Sequence, residues 1–490
     1  MTSNTTLHQK TITGIIWNFM EQLFRRGIQI ATTYLLAWFL VPADFGLMAI
    51  MAVFFAIATS MMDSGFSQAL IRKKEVSQID FSTAFYVNLV LGILAYALLF
   101  IAAPFIASFY NESRLVELIR VVGLVVIINA FQMVQMADLT RKLNFKVQFS
   151  VTLPAALLSG VVAISMAVLG FGIWSLVTQM LVSSLAVTAL YWKFNNWRPS
   201  KEFSRESFHD MFGFGSKLLL AGLIDTIFTN LYVLVIGKLF STTAVGYYSF
   251  ANQIQQLAVS QLSDAIQQVT YPAMATLQDD NISLKAFFRR IMQVVTYIIF
   301  PCMIGLAVLA KPLFQVVLKE DWLPAVPYLQ LLCVVGLLYP LHTINLNILK
   351  VKGRSDLFLY LDIIKKFIGG GILLISIPYG IFGILIGQIV SSVLCYLPNS
   401  YYSIKLIDYS VSEQLSDFFP TLVIATSMGL FIYLIDLTLP FNGLVFLFIG
   451  ISSGIIFYVV SNYLLKMQAQ LILWQIIKRQ YASHGENNNE

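Results

Sequence analysis

The sequence predicts an all-α polytopic membrane protein: about 14 transmembrane helices, two parallel six-helix repeats around a central cavity, and two extra C-terminal helices. Three observations lead there. Of 490 residues, 58% are hydrophobic and 11% charged, and mean hydropathy is +0.77, more apolar side chain than a soluble core can hide. Apolar windows of roughly 20 residues, enough to cross about 30 Å of hydrocarbon, follow one another with short polar breaks. Finally, segments recur about 200 residues apart. Leu40-Val-Pro-Ala-Asp-Phe-Gly46 is answered by Phe240-Ser-Thr-Thr-Ala-Val-Gly246, and Val121-Val-Gly-Leu124 by Val334-Val-Gly-Leu337. Gly170-Phe-Gly-Ile-Trp-Ser-Leu-Val-Thr-Gln179, with Val182-Ser-Ser184, is echoed by Gly380-Ile-Phe-Gly-Ile-Leu-Ile-Gly-Gln388 and Val390-Ser-Ser392.

In chain order the first six windows cover 15–40, 45–62, 83–109, 115–136, 149–169 and 173–192. The second six cover 212–236, 246–271, 291–310, 325–349, 358–378 and 381–401, so the repeat runs helix for helix. Two unrepeated windows follow, 418–439 and 443–465, then an amphipathic stretch at 471–478 and a polar tail. The implied units are an N-terminal bundle (1–195), a cytoplasmic linker (196–210), a C-terminal bundle (211–406), the extra helix pair (407–466) and a cytoplasmic end (467–490). An even number of crossings returns the chain to the same side, which makes the repeats parallel.

Orientation follows from loop charge. With the N-terminus inside, the outer loops hold only Arg114, Arg120, Lys238, Lys311 and Lys319, whereas the inner ones hold clusters such as Arg72-Lys-Lys74 and Lys350 to Arg354. The bias predicts both termini in the cytoplasm. It also accounts for the net charge of +6, so nucleic acid is not an expected partner; membrane lipids are. Residues 1–14 are polar and lack a cleavable signal pattern, so the first helix is expected to stay as an anchor. Cys302, Cys333 and Cys395 all fall inside predicted helices, without metal spacing, and read as small core residues.

No phosphate-loop motif and no room for a soluble domain appear, which argues against a nucleotide-driven pump. Short outer loops argue against a membrane polymerase or ligase. Asp279-Asp280 reads as the end of the eighth helix and a cap for the next segment. His8, His209 and His484 lie in polar segments; His342 alone lies in a membrane helix, where it could take a proton.

Charges left inside the bilayer, each costing at least about 2.5–3.5 kcal/mol at its centre, mark the candidate site. Glu21 and Arg25 stand four apart in the first helix and can pair, while Arg26 points about 100° away and has no local partner. Both arginines lie roughly 15–18 Å into that helix, too deep for easy snorkelling. Asp225, in the seventh helix, is the repeat counterpart of Arg25. Asp362 and Lys366 can pair in the eleventh helix, leaving Lys365 as the second cationic candidate. Arg25, Arg26 and Lys365 are the phosphate-binding candidates; Glu21, Asp225, Asp264 and His342 are candidates for cavity charge or ion coupling.

The eighth helix presents Asn252, Gln256, Ser260, Ser263 or Asp264, and Gln267 along one side. With Gln132 of the fourth helix and Asn345 of the tenth, this polar stripe is the expected sugar-facing wall; the alternative is hydrogen bonding between helices. Cations at mid-depth and amides on the walls suit an amphiphile that carries phosphate and glycan.

Several segments carry a resemblance to a known family: Val41-Pro-Ala-Asp-Phe-Gly46, Asp63-Ser-Gly-Phe-Ser-Gln-Ala-Leu70, Leu139-Thr-Arg-Lys-Leu-Asn-Phe-Lys146, Gly170 to Gln179, Ile236-Gly-Lys238, Gly246-Tyr-Tyr-Ser249, Tyr271-Pro-Ala273 and Lys352-Gly-Arg-Ser-Asp356. Over about the first 400 residues the chain resembles the Wzx polysaccharide-unit flippases, especially the colanic-acid exporter type, within the multidrug/oligosaccharidyl-lipid/polysaccharide exporter superfamily. The resemblance implies a bacterial inner-membrane protein that moves polyprenyl-diphosphate-linked sugar units to the periplasmic leaflet by alternating access. It implies no bound cofactor, a proton or sodium gradient as the energy source, and polysaccharide polymerase machinery as a neighbour. Ser241 departs from the glycine such chains often carry after Ile-Gly-Lys. A multidrug antiporter of the same superfamily is the rival, disfavoured because organic cations call for acidic residues in place of Arg25, Arg26 and Lys365.

Overall fold

The computed structural model describes residues 2–63, 65–439 and 443–474, and the side chains of 2–13, 15, 16, 18, 214, 260–266, 268 and 269 lie outside the description. All regular structure among these residues is helical. The chain divides into two compact units, Met1–Ser249 and Phe250–Glu490.

The first unit contains α1 (Thr2–Phe39), α2 (Pro42–Asp63), α3 (Phe66–Arg72), α4 (Gln78–Tyr110), α5 (Arg114–Arg141), α6 (Phe145–Val168), α7 (Trp174–Phe194), α8 (Arg205–Thr229), α9 (Leu231–Leu239) and the first turns of α10 (Thr242–Thr276). The second holds the rest of α10, then α11 (Asn281–Val308), α12 (Ala310–Val317), α13 (Val326–Val351), α14 (Ser355–Ser376), α15 (Gly380–Ile407), α16 (Val411–Thr438) and α17 (Gly443–Leu464). Ten helical stretches among the described residues are long and apolar enough to cross a membrane, or eleven with α8. One of them, Ser355–Ile407, is two helices, α14 and α15, folded against each other about a 3-10 turn at Ile377–Tyr379. Neither α1 nor α10 meets that measure, because they carry the charges and amides singled out above.

Helix ends are set by side-chain caps that satisfy backbone N–H groups. Ser77 and Asp80 form a reciprocal capping box at the start of α4, and Ser410 and Glu413 form another at α16. Asp280 Oδ1 accepts from the backbone N–H groups of Ile282 (3.0 Å) and Ser283 (3.2 Å), so it caps α11 as its position predicts. The Ser283 side-chain hydroxyl and these backbone bonds favour the charged carboxylate, and Asp280 sits below the usual carboxylate range.

In lipid, helices associate through close packing and interhelical hydrogen bonds. Here α4 packs on α5, α6 on α7 and on α1, and α5 on α7; in the second unit α11 packs on α13, α14 on α15, and α13 on α15. The third, fourth, fifth and sixth predicted helices thus pair in the same way as the ninth to twelfth. Small residues permit the approach: a Cβ on Gly92 would sit 3.0 Å from Ala130 Cβ, and one on Gly160 would sit 2.8 Å from Thr32 Oγ1.

Several expectations change. The predicted seventh helix is interrupted at Asn230, whose Nδ2 donates to Thr226 O at 2.8 Å beside its own backbone N–H at 3.2 Å. The ninth begins at Asn281, because the capped segment after Asp280 runs straight into the apolar stretch. Cys333 and Cys395 are buried but Cys302 is exposed, since apolar sequence alone does not separate a lipid-facing side from a core-facing one. The division between the compact units falls inside α10, after Ser249. The linker itself is bound to the first unit: Ser200 N and Ser204 N donate to Ser82 Oγ and Thr83 Oγ1, and Ser207 Oγ donates to Asp80 Oδ1. The amphipathic stretch at 471–478 lies within the described residues only as far as Trp474.

Candidate functional site

On α1, Glu21 Oε1 lies 3.2 Å from Arg25 Nε, the pairing that a four-residue spacing allows. The Glu21 side chain is 13% exposed and that of Arg25 46%. The field of this pair reaches Tyr191, buried on α7. Arg26, one residue on and turned to another side, is partly buried and has no hydrogen bond or ion pair among the described residues. On α14, Asp362 Oδ2 and Lys366 Nζ stand 2.8 Å apart, and Lys365 is partly buried with no hydrogen-bond partner for its ammonium among the described residues. Two helices, α1 and α14, therefore each carry one internally neutralised pair and one adjacent cation open to an anion. Asp225 is exposed on α8.

The amides fall into two groups. On α10, Asn252 and Gln267 are partly buried and Gln256 is exposed, while Asp264 lies outside the described side chains. The others bind between helices. Gln132 Nε2 donates to Asn129 Oδ1 at 2.7 Å, and its Oε1 receives Thr188 Oγ1 at 3.4 Å. Asn345, 1% exposed, donates to Leu341 O and Gln414 Oε1 and accepts from Ser403 Oγ at 2.6 Å. That residue is a tie among α13, α15 and α16, with no free face for sugar. His342 Nε2 lies 3.1 Å from Ser392 Oγ, and its Nδ1 lies 2.9 Å from Asn399 Nδ2.

A polar network missing from the expectations runs beneath these ties. Arg289 Nε and Nη2 donate to the two oxygens of Asp417, each at 2.7 Å, and Gln293 Nε2 adds a third bond at 3.0 Å. Lys285 binds Glu413 at 3.0 and 3.1 Å and also the carbonyl of Asp408. Tyr409, between α15 and α16, donates to Asp417 Oδ2 at 2.7 Å; burial and that anionic partner hold its phenol well above its ordinary range. The network fastens the unrepeated α16 to α11. Its signal is Lys285 and Arg289 four apart on one helix and Glu413 and Asp417 four apart on another, a matched register separated by well over a hundred residues. No group of three or more His, Cys, Asp or Glu that could hold a metal occurs among the described residues.

Comparison with known proteins places this arrangement. The solved structure of the lipid II flippase MurJ in an inward closed conformation matches with a TM-score of 0.73 over 93% of this chain and 99% of that one, at 14% identity. An inward-facing multidrug resistance MATE family transporter of the MOP superfamily matches at 0.60 over 79% of this chain and 99% of that one, at 17% identity. These likenesses show a common fold. The lipopolysaccharide biosynthesis protein WzxC of Escherichia coli (strain K12) is 28% identical over 442 residues, 86% of this chain and 88% of that protein. The teichuronic acid biosynthesis protein TuaB of Bacillus subtilis (strain 168) is 26% identical over 385 residues, covering 78% and 80%. The succinoglycan biosynthesis transport protein ExoT of Rhizobium meliloti (strain 1021) is 24% identical over 377 residues, covering 76% and 75%. A family model described as polysaccharide biosynthesis protein matches residues 35–327, more than half of the chain, and on that match the chain belongs to the polysaccharide biosynthesis protein family.

Proposed function

We propose that this protein is a flippase that carries polyprenyl-diphosphate-linked oligosaccharide units from the cytoplasmic to the periplasmic leaflet of the bacterial inner membrane, by alternating access, for surface polysaccharide synthesis. One observation carries the reading: Arg26 on α1 and Lys365 on α14 are basic side chains, each beside an internally neutralised ion pair and without a hydrogen-bond partner among the described residues, in helices that this reading places in the membrane. Such a cation is costly unless it has an anion to meet. Arginine and lysine both bind phosphate oxygens, the arginine as a two-pronged fork. The kinship with WzxC, TuaB and ExoT, named for the biosynthesis of lipopolysaccharide and teichuronic acid and for succinoglycan biosynthesis transport, supports this class of cargo.

In this reading the chain crosses fourteen times: the ten apolar stretches with α14 and α15 counted separately, joined by α1, α8 and α10, and both termini are cytoplasmic. With the inside negative, moving two phosphate charges outward runs down the membrane potential and releases on the order of 4–5 kcal/mol per 100 mV, and a proton or sodium gradient supplies the rest. Export of organic cations, the MATE-like alternative, requires acidic groups where Arg26 and Lys365 stand.

The test is leaflet assignment of the lipid-linked sugar in cells lacking the gene, using a periplasmic probe that cannot cross the membrane. Units that stay inside until the gene is restored support the flippase. Units that reach the outer leaflet without it, once redundant carriers are removed, favour drug export.

A further inference from the structure

The helix pairs α5–α7 and α13–α15 are tied at matching positions. Counting from Val121-Val-Gly-Leu124 and Val334-Val-Gly-Leu337, Asn129 corresponds to His342; counting from Val182-Ser-Ser184 and Val390-Ser-Ser392, Ser184 corresponds to Ser392. In the first unit Ser184 Oγ donates to Asn129 Oδ1 at 2.6 Å, and in the second His342 Nε2 meets Ser392 Oγ at 3.1 Å. The tie is the same, but an amide in one unit is an imidazole in the other. Of the two, only the imidazole can take a proton.

Asn399 makes this exchange more than a substitution of one hydrogen-bonding group for another. Its Nδ2 can only donate, so His342 Nδ1 accepts, and the ring proton sits on Nε2 and is donated to Ser392. Asn399 is 1% exposed, and its Oδ1 has no hydrogen-bond partner among the described residues. A half-turn of the carboxamide brings that oxygen to Nδ1, where it accepts from a protonated ring. The side chain is fitted to either state of the imidazole.

We propose that His342 is a proton-binding site of the second unit, held by Ser392 and Asn399 so that imidazole and imidazolium are both accommodated, and linked through charge to an anion site at Lys365. The helices packed on α13 define its surroundings. From α14 comes Lys365, whose charge reaches the His342 ring, with Asp362 and Lys366 paired on the same helix. From α15 come Tyr396, edge-on with ring centroids 6.2 Å apart, and Cys395, whose Sγ lies 4.0 Å from Lys365 O. On α11, Lys285 and Arg289 are bound to Glu413 and Asp417, Arg290 follows them, and Tyr297 and Cys302 lie further along. Lys311 of α12, with Glu320 and Asp321 of the adjoining 3-10 turn, belongs to elements at the start of α13, about 24 Å of helix from His342.

Lys365 and a protonated His342 repel each other. An anion on Lys365 cancels that repulsion, so proton uptake and anion binding favour one another by the same factor in both directions. The identity of the anion rests on the diphosphate reading given above.

The experiment is 15N-histidine NMR of the full-length protein in lipid nanodiscs. The chain has four histidines, and the His342 signal is identified by its loss in His342→Asn, which installs the residue found at the matching place in the first unit. Should that variant fail to fold, His342→Gln serves instead. The expected result is a signal that titrates between about pH 4 and 8 and moves to higher pH in Lys365→Met or on adding geranylgeranyl diphosphate to the wild type. A ring fixed in one neutral tautomer across that range overturns the site, and a midpoint unmoved by Lys365→Met overturns the link. The titration requires no flipping. A His342 that titrates and responds to Lys365→Met but ignores the diphosphate therefore sinks the substrate reading and leaves the proton site standing.

Discussion

Gly46 and Gly246 lie back to back where the first turns of α2 and α10 cross. A Cβ on Gly46 would strike the carbonyl of Thr242 and come within 2.9 Å of Gly246 N; a Cβ on Gly246 would strike the carbonyl of Pro42 and come within 3.3 Å of Gly46 N. Pro42 and Thr242, like Gly46 and Gly246, occupy matching places in the repeated segments, so each segment packs on its own counterpart. Glycine is required here by backbone meeting backbone, where no side chain can move aside.

Gly46→Ala and Gly246→Ala are therefore expected to destabilise the protein by about 1–3 kcal/mol, the usual penalty for forcing atoms into a filled contact. Gly27 has nothing within 4 Å of its added Cβ, so Gly27→Ala, on the interior of α1, is the control and is expected to be neutral or slightly stabilising. Thermal unfolding midpoints in detergent compare the three. Equal midpoints for Gly46→Ala and Gly27→Ala would show that α2 and α10 do not meet this closely.

The fork between Arg289 and Asp417 joins α16 to α11 with two bonds of 2.7 Å, and Asp417 is only 6% exposed. Asp417→Ala strips the partner from Arg289 and leaves Tyr409 without its acceptor, with an expected loss of about 1.5–3 kcal/mol, the range for hydrogen bonds to charged groups. Arg289→Lys keeps the charge and loses the fork, so it is expected to fall between wild type and Asp417→Ala. Limited proteolysis of the segment around Asp408 to Ser412 measures the release of α16. Unchanged cleavage in Asp417→Ala would assign α16 its position without this contact.

How much of this was legible in the sequence depended on the distance over which each interaction acts. The spans were legible because lipid demands a run of apolar residues, and the ion pairs Glu21 with Arg25 and Asp362 with Lys366 were legible because a helix fixes neighbours four apart. Helix starts were misplaced where a polar capped turn extends the helix beyond its apolar window, as at Gln78 after Ser77 and at Asn281 after Asp280. The fork between Arg289 and Asp417 stayed hidden because two residues so far apart in sequence meet only once α11 and α16 pack. Asn345 could not be assigned to a wall or a tie from sequence, since an amide on a helix face looks the same whether it meets water or a partner such as Gln414.

The loop between α4 and α5 offers a pH test away from the membrane spans. Glu112 accepts two bonds of 2.9 Å from Arg114, and that guanidinium holds its carboxyl below the usual range. A lowered folded-state pKa means that the stabilisation is complete above the unfolded value of about 4.3 and fades as pH falls through the folded value. The Arg114 side chain is 53% exposed, so the contribution is expected to be about 0.2–1 kcal/mol and smaller at high salt. Unfolding curves of Glu112→Gln and wild type should converge towards pH 3 and separate slightly at pH 7. A constant gap across that range would remove the ion pair from the account.

Arg26 gives the sharpest test of the transport reading, because its neighbour Arg25 supplies the comparison. Arg25 already has Glu21 at 3.2 Å, so its charge is largely cancelled, whereas Arg26 meets no partner among the described residues. If Arg26 holds diphosphate oxygens, Arg26→Ala is expected to abolish delivery of the lipid-linked sugar to the outer leaflet while the protein stays in the membrane. Arg26→Lys is expected to restore it only in part, because an ammonium keeps the charge without the two-pronged geometry. Arg25→Ala should behave differently: it strands Glu21 as a partly buried carboxylate without its partner, a fault of folding that Glu21→Gln made together with it should relieve. The same periplasmic probe of leaflet position, read beside protein abundance, separates the two. Normal delivery by Arg26→Ala would remove this residue from the diphosphate site and leave Lys365 as the cation to test.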